Sequence, residues 1–214
     1  MRRKRFLWVT LTAVAGMACG SSRAPGTTAE APRPAPGVVL EAASVLHGNA
    51  DSSTTTVIVV RHAEKATGQG DDPHLSAAGE ARARALARSL ENAGVTAVIT
   101  TQWVRTAETA EPTARAVGVT PEVMPVKWNS IPRDAGDIAA AARRHRGGVV
   151  LVVGHSNTVP AIVAALGADR PDEICDSEYD RMEIVTVEAD GNARLIEARY
   201  GAPTLERTGC ASMR

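Results

Sequence analysis

Short runs of β-branched and aliphatic residues alternate with stretches of helical composition along most of this chain, and this alternation constrains its fold more than any other feature. The runs Thr55–Val60 (TTVIVV), Val95–Thr100 (VTAVIT) and Gly148–Gly154 (GVVLVVG) are too short and too β-branched for helices. They suit strands that are buried on both faces. Because such strands alternate with helices, the sequence predicts a three-layer α/β/α sandwich around a mainly parallel sheet.

The other predicted elements follow the same order along the chain. Ser76 is suited to cap a helix over residues 76–92, which ends near Gly94. A second helix over residues 103–117 contains Pro112, which we expect to interrupt or kink it. The remaining elements are a strand over 122–126, helices over 134–145 and 157–167, and closing strands over 182–188 and 193–199 joined by a turn at 190–192.

Two of the apolar strands run directly into a histidine. The first strand is followed by Arg61 and His62, and the later one runs through Gly154 into His155. Because ligands in open α/β sheets bind beyond the carboxyl ends of the strands, we expect both imidazoles at one edge. Arg105 lies in the first turn of the helix after the second strand. Two histidines and two arginines at one crevice suit a phosphoryl group, since arginine binds its oxygens in pairs.

His62 is the candidate nucleophile of this crevice. A neutral imidazole that is oriented through one ring nitrogen can attack phosphorus with the other. Neighbouring cations stabilise the charge on the transferred group in the transition state. We expect this chemistry to use neither a metal ion nor a cofactor, because the arginines supply the positive charge.

Four segments occur in a recognisable order: RHAEK (61–65), LSAAG (75–79), RTAETA (105–110) and GHS (154–156). Together they resemble the histidine phosphatase superfamily, also called phosphoglycerate mutase-like, over roughly residues 55–200. The resemblance implies a phosphoglycerate mutase-like fold and transient phosphorylation of His62. It also implies that Arg61 and Arg105 bind the phosphoryl oxygens and that His155 hydrogen-bonds the same group.

Residues beside the two histidines are candidates for substrate binding, namely Glu64, Lys65, Ser156 and Asn157. For Glu64, the family motif also suggests a role in shaping the pocket or an ion pair with arginine or lysine. Lys65 and Asn157 are alternatively polar residues of the pocket rim.

The sequence does not identify a proton donor for the leaving group. Many superfamily members place an acidic residue, usually glutamate, in the region after the second arginine. That region of this chain offers Glu122, Asp134 and Asp137, and none of them lies in a motif of the family.

The first 18 residues have the pattern of an export signal. The basic cluster Arg2–Arg5 precedes the uncharged run Phe6–Ala18, which is shorter than the roughly 20 residues that span a bilayer. Cys19 follows as in a bacterial lipoprotein signal, although Gly16 stands where a Leu-like residue is usual. We expect an exported, periplasmic or cell-surface protein that a lipid on Cys19 holds on a membrane. The alternatives are ordinary signal cleavage, which gives a soluble protein, and a retained short anchor.

A linker and a possible disulfide complete the predicted organisation. Residues 19–54 are dominated by Gly, Ser, Ala, Pro and Thr, so we expect a disordered linker before a domain over residues 55–214. Cys175 and Cys210 are an even number of cysteines in an oxidising compartment, which favours a disulfide between them. Two unconnected thiols are the alternative.

The charge balance and the motifs leave three functions to compare. With 24 basic and 24 acidic residues the net charge is zero, which does not favour nucleic acid as a partner. We expect hydrolysis of a phosphorylated small molecule or phosphoprotein. Mutase-type phosphoryl transfer is disfavoured, because the segment between Arg105 and His155 is too short for its own elements and a lid. A catalytically weak surface module that binds phosphorylated ligands is the third possibility, and the oligomeric state stays open.

Overall fold

The computed structural model describes residues 54–68 and 70–204. The predicted export signal, Cys19, Cys210 and all of the predicted linker except Thr54 lie outside these residues, so lipidation and the disulfide of Cys175 stay predictions. In the part of the chain that is described, no helix is long and apolar enough to cross a membrane.

Six strands and four helices alternate along the domain. The strands are β1 (Thr55–Arg61), β2 (Val95–Thr100), β3 (Glu122–Val123), β4 (Val149–Gly154), β5 (Arg181–Val187) and β6 (Ala193–Arg199). The helices are α1 (Ala77–Ser89), α2 (Val104–Val117), α3 (Ile131–Arg143) and α4 (Thr158–Ala165).

The strands form one sheet in the order β3-β2-β4-β1-β5-β6. The pairs β3-β2, β2-β4 and β4-β1 are parallel, and β5 and β6 extend the sheet in antiparallel pairs. Helical crossovers join the parallel strands, whereas a tight turn joins β5 to β6 and reverses the chain. The predicted α/β sandwich with a mainly parallel sheet is confirmed.

Each face of the central strands packs against its own pair of helices. Val57 and Val59 of β1 belong to the core that includes α3 and α4, whereas Ile58 and Val60 belong to the core with Leu86 of α1 and the small residues of α2. Because successive side chains of a strand point to opposite faces, a continuous apolar run fills both cores.

The strand predicted over residues 122–126 is shorter in the structure. β3 ends at Val123, after which the Met124 N–H still donates to the carbonyl of Thr100 (2.8 Å). The side-chain amide of Gln102 then bonds both backbone groups of Val126, at 2.8 and 2.9 Å. These bonds satisfy the backbone in place of a strand partner, so the chain leaves the sheet early.

Two helices also differ from their predicted forms. α3 begins at Ile131, three residues before the predicted start. α2 continues through Pro112, so the expected interruption was wrong. Proline removes one helical hydrogen bond, but the buried face of α2 on both sides of it packs against the sheet and holds the helix together. The helix ends at Gly118, whose left-handed φ of 72° suits glycine.

Candidate active site

The carboxyl ends of β1, β4 and β2 bring the four predicted residues together. Arg61 is level with Gly154 in the parallel pair of β1 and β4, so His62 and His155 leave neighbouring strands at the same edge. Their ring centroids are 5.3 Å apart in an edge-to-face arrangement, and only 5% and 3% of the two residues is exposed. Arg105, in the first turn of α2, is buried beside them.

The hydrogen bonding of His62 fixes which ring nitrogen carries its proton. Nδ1 lies 2.8 Å from the carbonyl oxygen of Ala63, and a carbonyl only accepts. Nδ1 therefore donates, and Nε2 of the neutral ring keeps its lone pair. Burial lowers the pKa of His62 to about 3, so the ring is neutral at pH 7. The backbone N–H of Ala63 donates to Thr109 Oγ1 (2.9 Å), which holds the acceptor in place.

A chain of two hydroxyls fixes the proton of His155 in the same way. Thr106 Oγ1 lies 2.7 Å from the carbonyl of Trp103 and donates to it. Its single proton is then used, so Thr101 Oγ1 donates to Thr106 Oγ1 across 3.0 Å. Nε2–H of His155 therefore donates to Thr101 (3.0 Å), and Nδ1 keeps the lone pair. Burial first, and then His62 and the arginines, lower the pKa of His155 to about 2.

The guanidinium nitrogens of Arg61 have different surroundings. Nη1 donates to the carbonyls of Cys175 (2.7 Å), Asp176 (3.1 Å) and Glu178 (3.1 Å), and the guanidinium carbon lies 4.1 Å from the centroid of the Tyr179 ring. Its Nε is buried and has no hydrogen-bond partner among the described residues. One edge of this side chain is thus fixed by the loop before β5, and Nε–H stays available as a donor.

Arg105 is held in a similar way. Its Nη1 donates to Asp72 Oδ1 (3.3 Å), and its guanidinium carbon lies 4.7 Å from the Trp103 ring. Nε of Arg105 is likewise buried with no partner within the described part of the chain. Burial lowers the pKa of Arg61 and Arg105, but arginine stays protonated in proteins. Since buried donors are normally satisfied, two such Nε–H groups mark a place suited to an anion.

Asp72 is a site residue that the sequence did not reveal. Its carboxylate accepts hydrogen bonds from the backbone N–H of Val104, at 3.0 and 3.2 Å, as well as the bond from Arg105. The N-cap residue of α2, Trp103, offers no side-chain hydrogen bond, so Asp72 takes over the cap from a distant loop. The signal in the sequence is only an acidic loop segment before α1, which does not specify a partner.

Glu64 and Lys65, the two candidates that follow His62, lie in different surroundings. Both carboxylate oxygens of Glu64 accept from the guanidinium of Arg82, at 2.8 to 3.0 Å, so Glu64 forms the ion pair that was its alternative role. This geometry does not support direct binding of substrate by Glu64. The exposed Lys65 lies close enough for its charge to contribute to the low pKa of His62.

Ser156 and Asn157 lie in the turn between β4 and α4. Ser156 is half-buried and Asn157 is exposed at the N-cap of α4, where its side chain makes no capping bond. Both stay candidates for contact with substrate, on the side of the crevice that His155 forms.

Two of the three candidate proton donors are engaged elsewhere, and the third is exposed on a helix surface. Glu122 accepts from Arg144 (2.7 Å), and Asp137 is exposed on α3. Asp134 accepts from the backbone N–H of Lys127 (2.6 Å), and this bond, reinforced by a neighbouring hydroxyl, lowers the pKa of its carboxyl group. The geometry does not support any of the three as the acid. Within residues 54–68 and 70–204, no group of three or more His, Cys, Asp or Glu side chains is arranged to hold a metal ion.

Residues 57–126, which include three of the four converging side chains, match the family model of the histidine phosphatase superfamily (branch 1). A search of the curated proteins found no significant match to this sequence.

Solved structures match over most of the domain. The protein histidine phosphatase SixA in complex with tungstate has a TM-score of 0.53 and 19% identity, over 67% of this chain and 96% of that one. A putative phosphohistidine phosphatase SixA from Nakamurella multipartitia gives 0.50 and 22%, over 70% and 98%. A mycobacterial glucosyl-3-phosphoglycerate phosphatase gives 0.51 and 16%, over 69% and 99%.

Because the sequence identities are below 25%, the structural matches are evidence for the fold alone. They confirm the predicted phosphoglycerate mutase-like fold. The sequence match begins in β1, runs through His62 and Arg105, and ends at Val126. Residues 57–126 thus match the model of the histidine phosphatase superfamily (branch 1), and the described domain has the fold of the solved phosphatases named above.

Proposed function

We propose that this chain is a phosphomonoester hydrolase in which His62 becomes transiently phosphorylated. The bonding of His62 carries the proposal. Its Nδ1–H is committed to the carbonyl of Ala63, which leaves the Nε2 lone pair at a crevice with two arginine Nε–H donors that have no partner among the described residues. The family match over residues 57–126 and the phosphatases among the solved relatives support a phosphatase reaction.

The first step transfers the phosphoryl group to the imidazole. The Nε2 lone pair of His62 attacks phosphorus, the N–P bond forms, and the P–O bond to the leaving group breaks with its electron pair on oxygen. Nδ1–H stays bonded to the Ala63 carbonyl, which stabilises the cationic phosphorylated ring. Nε–H groups of Arg61 and Arg105 donate to the phosphoryl oxygens and stabilise their charge in the transition state.

The second step releases phosphate. Water attacks phosphorus, and the N–P bond breaks with its electron pair returning to Nε2. One water proton passes through solvent to the departed oxygen, and inorganic phosphate leaves.

His155 changes its charge during this cycle. Its Nε2–H donates to Thr101, so Nδ1 of the neutral ring has no proton to offer. A bound phosphoryl dianion favours the imidazolium form, which adds a proton at Nδ1. That proton is then available to a phosphoryl oxygen, so we expect ligand binding to be accompanied by proton uptake.

The test compares His62→Ala with His145→Ala in the full chain. His145 lies in the loop between α3 and β4 and serves as a matched histidine outside the crevice. With 4-nitrophenyl phosphate as substrate, we expect H62A to lower kcat by at least about 10³-fold and H145A to change it less than twofold. Acid-labile, base-stable phosphate should be trapped on the wild-type protein and not on H62A. Full activity of H62A would contradict the proposal.

A further inference from the structure

We propose that Trp103 and Trp128 form an aromatic platform that binds a planar aromatic leaving group, so that the preferred substrates are aryl phosphates. This inference rests on the proposed function, since the platform acts only on a ligand whose phosphoryl group lies at the two histidines. It adds a substrate class and a specificity-determining residue, Trp128.

The platform lies next to the catalytic pair. Trp128 stacks on Trp103 with ring centroids 5.9 Å apart and planes 23° apart. Trp128 also meets His155 edge to face at 5.3 Å, and His155 lies 5.3 Å from His62. Only the imidazole of His155 therefore lies between Trp128 and the nucleophile His62. We expect a ring bound against Trp128 to be close enough to His62 to be attached directly to the phosphorus.

Trp128 keeps a large open surface in this arrangement. It is 51% exposed, although Trp103 stacks on it and the ring of His155 meets it at an angle of 72°. Aromatic residues make up only 3% of the chain, yet two of its three tryptophans lie here, and Tyr179 lies 6.2 Å from His62. A half-exposed indole beside a polar crevice is suited to contact another flat ring.

The turn that carries Trp128 is fixed before any ligand binds. On one side, the Gln102 amide bonds both backbone groups of Val126. On the other side, the Asp134 carboxylate accepts from the backbone N–H of Lys127 (2.6 Å). Because Trp128 is held between these two anchors, little conformational entropy is lost when a ring stacks on it.

The chemistry of the leaving group points to the same class of substrate. Among the described residues, the carboxylates that form ion pairs with the two arginines are Asp72, which accepts from Arg105 Nη1 (3.3 Å), and Asp176, whose Oδ1 lies 3.8 Å from Arg61 Nη2. Asp72 accepts a hydrogen bond from its arginine, and Asp176 forms an ion pair with Arg61. A phenol, with a pKa near 10, departs as an anion far more readily than an alkyl alcohol, whose pKa is close to the roughly 15.7 of water. An aromatic ring thus supplies both the stacking surface and a leaving group that needs no proton.

The experiment measures binding and does not depend on turnover. The full chain is titrated calorimetrically with phenylphosphonate and with methylphosphonate, whose C–P bonds are not cleaved by attack of this kind. The quantity compared is the ratio of the Kd for methylphosphonate to the Kd for phenylphosphonate. We expect a ratio of about 10 for the wild type, since one favourable aromatic contact contributes up to about tenfold.

Three variants make the result specific. We expect Trp128→Ala to lower the ratio about fivefold and Trp128→Phe to keep most of it, because phenylalanine retains a flat ring. Ile196→Ala removes another exposed large apolar side chain, 60% exposed on β6, and should leave the ratio unchanged.

The two proposals fail in different ways. A wild-type ratio near 1, or a ratio in W128A equal to that of the wild type, would overturn the platform while leaving the phosphoryl site intact. If the wild type bound neither phosphonate, the proposed phosphoryl site would be overturned, and the platform with it.

Discussion

Two neutral histidines beside two charged arginines are an unstable combination in acid. His62 and His155 are almost completely buried, and in the described part of the chain no carboxylate is among the groups that shift their pKa values. This keeps the His62 lone pair free at neutral pH. It also means that the folded protein resists protonation at sites that an unfolded chain protonates readily.

We therefore predict that stability falls as the pH drops below 6.5. The folded pKa values are about 3 for His62 and about 2 for His155, against 6.5 for a free histidine. Above pH 6.5 neither state binds the proton; below it only the unfolded state does, until the folded pKa is reached. At pH 5 this amounts to a loss of about 2 kcal/mol for each of the two histidines.

Urea unfolding between pH 7.5 and pH 5 measures this loss. His62→Gln should lessen it by about 2 kcal/mol, whereas His145→Gln, at a partly exposed position, should change it little. An unchanged pH dependence in H62Q would show that the histidine does not carry this energy.

At the scale of elements, helix α1 rests directly on the backbone that follows His62. The carbonyl of Glu64 accepts from the backbone N–H of Ser76 (2.9 Å) and from its hydroxyl (3.2 Å). Ser76 Oγ also accepts from the N–H of Gly79, as the predicted cap requires. A Cβ at Gly79 would lie 2.1 Å from the Glu64 carbonyl oxygen, so only glycine permits this approach.

Gly79→Ala is predicted to destabilise the protein by about 1–3 kcal/mol, because the atom it meets is backbone and cannot turn away. It should also lower phosphatase activity by shifting the segment next to His62. Gly136→Ala, in α3, is the matched control: a Cβ there meets nothing within 4 Å, and we expect a gain of about 0.5–1 kcal/mol. Thermal unfolding compares the two variants, and equal stabilities would contradict the argument.

Over the described domain, the antiparallel strand β5 holds the loop that positions Arg61 at the carboxyl edge of the parallel strands. Arg181 of β5 binds Glu183 Oε1 (2.5 Å) and the carbonyl of Asp172 (3.1 Å). The loop between Asp172 and β5 is the one whose carbonyls hold Arg61 and whose Tyr179 covers it. Burial raises the pKa of Glu183, so this carboxylate depends on Arg181 to stay charged.

Arg181→Met is predicted to cost about 3–5 kcal/mol, because it leaves the Glu183 carboxylate buried without its cation. The double variant R181M/E183L should regain a large part of that loss, since both charges are then removed. Arg194→Met, at an exposed position of β6, should change stability by less than about 0.5 kcal/mol. Chemical denaturation measures the free energy of unfolding of all three variants. A double variant no more stable than R181M would contradict this interpretation.

The sequence predicted the strands and the residues that directly continue them. β1 and β4 are predicted from runs of β-branched residues, and His62 and His155 directly follow the two strands, so their convergence depends only on parallel pairing. The early end of β3 was not predictable in the same way. It depends on the Gln102 amide, whose contact with Val126 is set by tertiary structure and leaves no periodic pattern.

The parts of the site that were missed come from loops and from contacts between distant residues. Asp72 caps a helix that begins 32 residues later, and Tyr179 and Trp128 reach the histidines from two separate connections. Thr101 lies just after the predicted strand Val95–Thr100 and was not singled out from the sequence, although its hydroxyl fixes the proton of His155. Loop conformation decides each of these contacts, and composition and periodicity do not encode it.

The direction of β1 has a practical consequence for handling the protein. Thr55 and Arg61 lie at opposite ends of this central strand, about 20 Å apart for seven extended residues. Whatever is joined upstream of Thr54 is therefore attached at the end of the sheet opposite His62. Coupling to a resin, a sensor chip or a fused reporter through that end would attach the domain at the side opposite the histidine crevice. The crevice would then stay accessible to ligands.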